Sequence, residues 1–245
     1  MKKNLILMMI MFVTWLHSLQ IGEKLIFKVS YGLIPAGKAS LTFTDTMYKD
    51  SIPAYRIVSK AKTNGFFDNI FKVRDHIESV WDKDSLVTLK FYKKLREGSY
   101  RQKRIHFYYP DQNFTLYWKY NRKTKDIKEE KMEIPDKTQD ILTAFYWLRK
   151  QKLEVGKTFI INVTADGRNY PAKVKVHRKE KLDTEIGRKE CFVVEPLLEG
   201  EAIFKQTGKI LVWLTDDEEK IPVRLQSKIV FGHFKAILQK VKYIN

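Results

Sequence analysis

The feature that most constrains the fold is an alternation of apolar and polar residues that runs through most of the chain. Residues 24–31 read Lys-Leu-Ile-Phe-Lys-Val-Ser-Tyr, and residues 170–176 alternate in a similar way. Successive side chains of a β-strand point to opposite faces, so this pattern is typical of half-buried strands. Asp166-Gly167 lies between two such stretches and is a strong hairpin signal. Because no strand–helix–strand repeat appears, we predict a mainly β fold of antiparallel sheets that form an open or flattened barrel.

One stretch has helical periodicity instead. Its apolar residues recur at the spacing of a single helix face, and they are Ile141, Leu142, Phe145 and Leu148. Asp136 is the expected N-cap, with Gln139 as its capping-box partner. Gly156 follows as a suitable stop. The pattern predicts one principal α-helix at about 136–151, packed on or in the sheet.

We expect this helix to join two blocks of strands, at 22–134 and 157–245, within a single β-rich domain at 19–245. Its polar positions are expected to face solvent, and they are Lys137, Thr143, Arg149 and Lys150. No acid, base or ligand cluster is expected along it. The helix is predicted to fill the core that the two blocks share.

The N-terminus has the composition of a secretory signal peptide. Residues 1–4 are basic, and residues 5–16 form an apolar run that is short for a membrane span and suits a signal sequence. We predict a signal peptide at 1–18, cut within a few residues of Ser18; an uncleaved anchor is the alternative. No cysteine follows the run, so no lipoprotein is predicted, and no later apolar stretch predicts a transmembrane segment.

A formal net charge of +17 constrains the partners. Such a positive chain suits anionic surroundings, including lipid headgroups, lipopolysaccharide and acidic glycans. Export argues against nucleic acid as a partner. We expect an anionic lipid or glycan as ligand and peripheral contact with a membrane; a generally basic, solvated surface is the alternative.

The densest cationic segment is residues 90–104, where Glu97 alone opposes seven basic side chains. Arginine forks bind phosphate and carboxylate groups directionally, and interleaved aromatic faces can pack against sugar or acyl groups. The residues predicted to bind ligand here are Lys90, Lys93, Lys94, Arg96, Tyr100, Arg101 and Arg104. A turn at 96–98 would bring basic residues of both strands to one tip. A solvated hairpin without a ligand is the alternative.

Aromatic residues occupy both faces of the predicted strand at 114–120. Such a strand is covered on both sides or lines a cavity, so Tyr117 and Trp118 join the predicted ligand site. From the helix, Phe145 and Trp147 are expected at the wall or floor of such a cavity, as in barrel-type carriers.

Residues with catalytic or metal-binding chemistry are scattered. The four histidines after the signal lack local metal-ligand spacing, and they are His76, His106, His177 and His233. Cys191 lies in an apolar alternating stretch, where a buried inert thiol is expected rather than a nucleophile. Residues 216–219 lack calcium-loop spacing and are expected to form an exposed turn. We predict no catalytic residue, metal or cofactor.

Several stretches together resemble a known family. They are residues 22–39, 91–100, 139–149 and 212–217 with 221–224. In this order they resemble the uncharacterised bacterial exported family called domain of unknown function 3108. The resemblance extends over nearly all of the predicted mature chain and implies an exported, mostly antiparallel β domain in the Gram-negative periplasm. It implies no reaction, because the family has no established catalytic residues to carry over.

Three classes of function are compatible with these expectations. The first is a non-enzymatic cell-envelope protein that binds or carries an anionic amphiphile, a lipid or lipoglycan. The second is a structural or assembly factor that binds another envelope protein through an exposed sheet edge. The third is a hydrolase whose site is assembled from distant residues. The basic segment and the aromatic strand favour the first class.

Overall fold

A computed structural model describes residues 19–197, 207–229 and 233–244, and the predicted signal peptide at 1–18 lies outside them. Within these residues the chain forms fourteen antiparallel strands and two α-helices, which confirms the predicted mainly β fold. Neither described helix is long and apolar enough to span a bilayer. The elements are β1 (Glu23–Tyr31), β2 (Ile34–Tyr48), β3 (Ile52–Thr63), α1 (Gly65–Asp68), β4 (Arg74–Asp82), β5 (Thr88–Glu97), β6 (Tyr100–Tyr109), β7 (Phe114–Tyr120), β8 (Ile127–Glu133), α2 (Ile141–Arg149), β9 (Thr158–Ala165), β10 (Arg168–Thr184), β11 (Gly187–Leu197), β12 (Thr207–Thr215), β13 (Pro222–Ile229) and β14 (His233–Tyr243).

The strands form one sheet in which almost every strand pairs with its neighbours in the chain. The order across the sheet is β8-β7-β6-β5-β4-β3-β2-β1-β14-β13-β12-β11-β10-β9. The exception is at the centre, where β1 pairs with β14. The edge strands β8 and β9 do not pair with each other, so the sheet is not closed into a barrel. This arrangement confirms the prediction of an open or flattened barrel.

The two halves of the sheet, β1 to β8 before helix α2 and β9 to β14 after it, pack against each other through their inner faces. One core cluster joins Phe91 of β5 to Phe159 of β9 and to Leu148 of α2. A second cluster includes Phe43 and Tyr146, whose rings stack with centroids 5.0 Å apart. Helix α2 contributes to both clusters because it lies between the two halves, and it therefore packs in the sheet as predicted.

Helix α2 begins later than the sequence predicts, at Ile141. Its N-cap is Asp140, whose carboxylate accepts hydrogen bonds from Leu142 N at 2.7 Å and Thr143 N at 3.1 Å. The Thr143 hydroxyl accepts from the Asp140 backbone N–H at 2.8 Å and completes the capping box. The predicted box with Gln139 is therefore wrong.

The predicted cap at Asp136 is wrong because the backbone between it and the helix is not helical. Lys137 has a φ of 52°, in the left-handed region. Two residues later, Gln139 N donates to Asn162 O of β9 at 2.8 Å, and Gln139 O accepts from Thr164 N at the same distance. The segment before the helix therefore runs along the exposed edge of β9 and covers part of it.

Candidate functional site

The predicted basic segment is divided between two faces of the sheet. It lies on the β5–β6 hairpin, in which Phe91 and His106 are opposite each other and fully buried, and these residues identify the inner face. Because side chains alternate along a strand, Lys93 and Arg104 also face inwards, as a directly opposed pair. The predicted residues on the outer face are Lys90, Lys94, Arg96 and Arg101. The segment is therefore two separate sets of cations.

Lys93 is fixed in the interior by an ion pair with Asp166. Asp166 belongs to the turn between β9 and β10, in the other half of the sheet, where its φ is 53°. This turn therefore crosses the open side of the barrel and contacts the inner face of β5 to β7. The Lys93 ammonium links the two halves, and its charge is already paired.

His106 lies beside this ion pair. Burial and, to a smaller extent, the positive charges of Lys93 and Lys119 together lower its pKa to about 3. The ring is therefore neutral at physiological pH. Its Nε2 accepts a hydrogen bond from Gly167 N at 3.3 Å, and it stacks on Tyr117 with centroids 4.2 Å apart. His106 thus supports the β9–β10 turn, and its low pKa makes it unsuitable as a general base near neutral pH.

Replacing Gly167 by alanine is expected to lower the free energy of unfolding by about 2 kcal/mol, because strain and overpacking add. Its φ is 77°, and a Cβ would lie 2.5 Å from a ring carbon of Tyr117. Gly187→Ala is the matched control, since Gly187 has a φ of 93° but open space around its Cβ position. Urea unfolding of both variants measures the difference. Equal losses would show that the turn does not press against Tyr117.

The predicted aromatic residues are also separated. Tyr117 faces inwards, and burial raises its pKa to about 12. Trp118 lies on the opposite face of β7, where its ring packs against Phe107 at 5.0 Å. Phe145 and Trp147 are half-buried against the two core clusters. These side chains do not converge on a common cavity, and Tyr100 stands apart from them, 50% exposed beside the β5–β6 turn.

Helix α2 carries a buried ion pair that the sequence did not predict. Arg149 is 1% exposed, so the expectation that it faces solvent is wrong. Its two terminal nitrogens each donate to one carboxylate oxygen of Glu23, both at 2.7 Å. It also donates to the backbone carbonyl of Glu219 at 3.0 Å, and its guanidinium lies 4.9 Å from the Tyr146 ring. This contact joins β1, the helix and the β12–β13 turn.

The N-terminus of α2 carries a second buried polar group. Asp140 accepts from Ser79 Oγ at 2.7 Å and from Thr88 Oγ1 at 3.2 Å, in addition to its capping bonds. Thr143 is also fully buried, against expectation, because its hydroxyl bonds Thr88 Oγ1 at 2.7 Å. Burial raises the pKa of Asp140 to about 6, and the hydrogen bonds partly oppose that rise. These contacts fasten α2 to β4 and β5.

The other candidate residues have structural surroundings. Cys191 is fully buried, and burial raises the pKa of its thiol to about 11, as expected for an inert thiol. Asp217 accepts from Thr215 Oγ1 and Lys220 N within the exposed acidic turn after β12. Among the residues that the structure describes, no three His, Cys, Asp or Glu side chains lie close enough to share a metal ion.

The outer face of β1 to β6 carries cations in aligned rows, which we call the outer basic face. In one row, Lys28 is opposite Lys38, and Lys38 is opposite Lys62 on the next strand. In a second row, Lys94 is opposite Lys103. The members of the face are Lys28, Lys38, Lys60, Lys62, Lys94, Arg96, Arg101 and Lys103. In the described part of the chain, none of them forms an ion pair with a carboxylate.

Two concavities of the described surface lie away from this face. One, of about 500 Å³, is lined by Lys181, Arg188, Lys189 and Glu190. The other, of about 310 Å³, lies beside the turn before β7 and includes Phe114 and Lys131. Both are open to solvent and include none of the predicted ligand residues.

Comparisons with known proteins agree with this fold. Residues 26–239 match the model of a family described as "Protein of unknown function (DUF3108)". The chain belongs to the DUF3108 family. This confirms the resemblance seen in the sequence. No curated protein matches this DUF3108 chain.

Two solved structures are similar to this DUF3108 protein. One is a β-barrel-like protein of domain of unknown function DUF1849 from Brucella abortus, with a TM-score of 0.61 and 11% identity over 93% of this chain and 100% of that chain. The other is a protein from Bacteroides fragilis NCTC 9343 described as having a YmcC-like fold, with a TM-score of 0.31 and 12% identity over 91% of this chain and 97% of that chain. The first shares the β-barrel-like fold, and at that identity the likeness concerns the fold alone.

Proposed function

We propose that this DUF3108 protein is an exported, non-enzymatic protein of the Gram-negative cell envelope that binds the anionic headgroup of an amphiphile, a lipid or lipoglycan. The observation that carries the proposal is the outer basic face, where Lys28, Lys38 and Lys62 follow one another on three adjacent strands. Neighbouring strands lie about 4.8 Å apart. The row therefore presents three ammonium groups close enough together for one anionic headgroup to contact more than one of them.

The rows also have an energetic cost that a bound anion would remove. Like charges directly opposite each other on neighbouring strands destabilise a sheet. Lys38 faces such a partner on both sides, and no described carboxylate neutralises it. An anionic headgroup bridging the row relieves this repulsion. We propose binding rather than carriage, because Phe145 and Trp147 pack within the core instead of lining a cavity for an acyl chain.

Reversing three charges of the rows is expected to weaken binding of a monomeric anionic lipid at least tenfold, since each basic residue contributes about 1 kcal/mol near anionic headgroups. The variant is Lys38→Glu with Lys62→Glu and Lys94→Glu. Calorimetric titration with short-chain phosphatidylglycerol, below its critical micelle concentration and at low salt, measures the affinity. Lys93 is left unchanged because its ion pair with Asp166 is structural.

The matched control carries the same charge change away from the outer basic face, at exposed Lys152 and Lys157 before β9 and at exposed Lys175 of β10. Its affinity for the lipid is expected to stay within about twofold of the wild type, because salt screens the long-range effect of the lower net charge. Equal weakening in both variants would mean that total charge alone attracts the lipid, and the outer basic face would then have no specific role.

A second candidate, an assembly factor, is favoured by the edge strand β8. In the described residues β8 pairs only with β7, whereas the edge of β9 is partly covered by Gln139. A partner strand could add to β8. Native mass spectrometry of the protein purified from its own envelope separates the two functions. A retained lipid supports the first, and a lipid-free mass with a partner crosslinked to β8 supports the second.

A further inference from the structure

One end of the barrel exposes large apolar side chains at three separate connections. They lie on the β1–β2 turn, on the β3–β4 connection that contains α1, and beside the β5–β6 turn. We call them the apolar rim, and its members are Leu33, Ile34, Phe66, Ile70, Phe71 and Tyr100. Leu33 is 96% exposed, and Phe66 and Ile70 are 63% and 66% exposed. Large apolar side chains that stay exposed together at one end of a domain indicate an interaction surface.

Hydrogen bonds hold these connections at the same end. Asn64 N, just before α1, donates to Ala36 O of β2 at 2.9 Å. Gly98 N in the β5–β6 turn donates to Lys72 O at 2.9 Å. The ring of Phe71 lies against Gly98 so closely that a Cβ there would be 2.7 Å from it. The rim is therefore one surface of the folded domain.

The outer basic face begins next to the apolar rim, one residue further along the strands. Lys38 and Lys62 form an opposed pair one residue from the Gly37–Thr63 pair that closes onto α1. On the β5–β6 hairpin, Arg96 and Arg101 are the opposed outer pair nearest the turn. The apolar rim therefore lies at the very end of the barrel, and the cations of the outer basic face lie next to it along the strands.

The one acidic residue of the β3–β4 connection does not place a free negative charge beside the outer basic face. Asp68 forms an ion pair with Arg74 at 2.6 Å and also accepts from Thr63 Oγ1 at 2.5 Å. Its charge is thus neutralised where the apolar rim meets the outer basic face. The end of the barrel presents apolar groups and positive charge without an opposing free carboxylate from this connection.

We propose that the apolar rim docks on an anionic bilayer surface, with the outer basic face held among the lipid headgroups. This deepens the proposed function and rests on it, because the bilayer supplies the same anionic headgroups. Apolar groups on projecting turns enter the boundary of headgroups and acyl chains, while lysines on the sides of the strands remain at headgroup level. Separate turns with polar gaps do not form the continuous apolar core of a stable protein interface, so a membrane fits this surface better than a protein does.

Docking by two kinds of contact has two signatures. The cationic contribution weakens as salt rises, because exposed charges are screened beyond about 8 Å at physiological ionic strength. The apolar contribution does not involve charge, so added salt does not weaken it in this way. The wild type is therefore expected to bind vesicles of phosphatidylcholine with phosphatidylglycerol, to bind pure phosphatidylcholine vesicles weakly, and to lose binding gradually as salt is added.

The deciding variant is Leu33→Ser with Ile70→Ser. It is expected to partition at least tenfold more weakly onto the anionic vesicles, since two exposed apolar side chains no longer enter the lipid. It keeps all the cations, so its affinity for monomeric short-chain phosphatidylglycerol should stay within about twofold of the wild type. The matched control, Val155→Ser with Ile160→Ser, removes side chains that are 55% and 65% exposed outside the rim and should partition like the wild type. Thermal unfolding of all three proteins confirms that each is folded.

The outcomes separate the two proposals. Rim and control variants that partition equally overturn the docking, whereas monomeric lipid binding by the wild type still upholds headgroup binding. Wild type that binds neither vesicles nor monomeric lipid overturns both. As an independent readout, an environment-sensitive dye on Leu33→Cys is expected to shift to shorter wavelength on anionic vesicles, whereas the same dye on Ile160→Cys should not. The native Cys191 is fully buried and does not compete for the label. An unshifted Leu33→Cys dye on vesicle-bound protein would overturn the docking.

Discussion

Replacing Arg149 by methionine is expected to lower the free energy of unfolding by about 3–5 kcal/mol at pH 7, the cost of breaking a buried ion pair by removing one partner. The guanidinium and the carboxylate of Glu23 are both almost completely buried and share two hydrogen bonds of 2.7 Å. Without Arg149 the Glu23 charge has no partner of opposite sign and stays away from water. Urea unfolding followed by tryptophan fluorescence measures the loss.

Two further variants test that explanation. Glu23→Leu combined with Arg149→Met should recover at least about 2 kcal/mol of the loss, because no uncompensated charge remains in the core. Lys152→Met is the control near the same end of the helix, since its side chain is 85% exposed. It should change stability by less than about 0.5 kcal/mol. If the double variant is as unstable as Arg149→Met, lost packing rather than the isolated Glu23 charge causes the instability.

The second large effect is expected at the start of the same helix. Asp140→Ala should lower the free energy of unfolding by about 3 kcal/mol at pH 4.5, because it removes the N-cap and leaves buried hydroxyls of Ser79 and Thr88 with fewer partners. Asp136→Ala is the control. Asp136 is exposed and outside the helix, and its replacement should cost less than about 0.5 kcal/mol.

The cost of Asp140→Ala should shrink as the pH rises. The pKa of Asp140 is raised by burial from 3.8 to about 6 in the folded protein, so the folded state retains a proton that the unfolded chain releases. The stability that this proton contributes is present below about pH 4 and is lost as the pH rises through about 6. Between pH 4.5 and 7 the difference between wild type and variant should fall by roughly 2 kcal/mol.

Asp75 titrates in the same range, because burial raises its pKa to about 6, but it is present in both proteins and its effect cancels in the difference. Unfolding curves at several pH values measure the trend. A difference that is constant from pH 4.5 to 7 would contradict the raised pKa of Asp140.

The fold could be predicted from the sequence because it follows from local patterns. Alternation of residues such as Leu25 and Phe27 defines strands, and Asp166-Gly167 forms the hairpin turn where the sequence predicts it. The helix was located by its apolar face, but its start was not. The left-handed backbone at Lys137 and the pairing of Gln139 with β9 depend on the tertiary structure, which no local signal reports.

The polar contacts could not be predicted because residue type alone does not reveal burial. Arg149 and Thr143 look like solvent-facing helix residues, yet their partners come from β1 and β5, far away in the chain. For the same reason, the sequence did not show which cations of the basic segment are buried. Strand alternation indicates that Lys93 and Lys94 point to opposite faces, but only the assembled sheet shows that the Lys93 side is the interior.

The pairing of β1 with β14 has a consequence for the order of folding. Strands β1 to β8 form a meander of short-range pairs, which close quickly because little chain entropy is lost in each step. The seam at the centre of the sheet is different, since Glu23 pairs with Tyr243 and Ile244 N donates to Gly22 O at 2.9 Å. Until β14 joins the sheet, β1 is an open edge able to recruit strands from other molecules. Partly folded chains of this protein are therefore most prone to aggregate before the last strand docks.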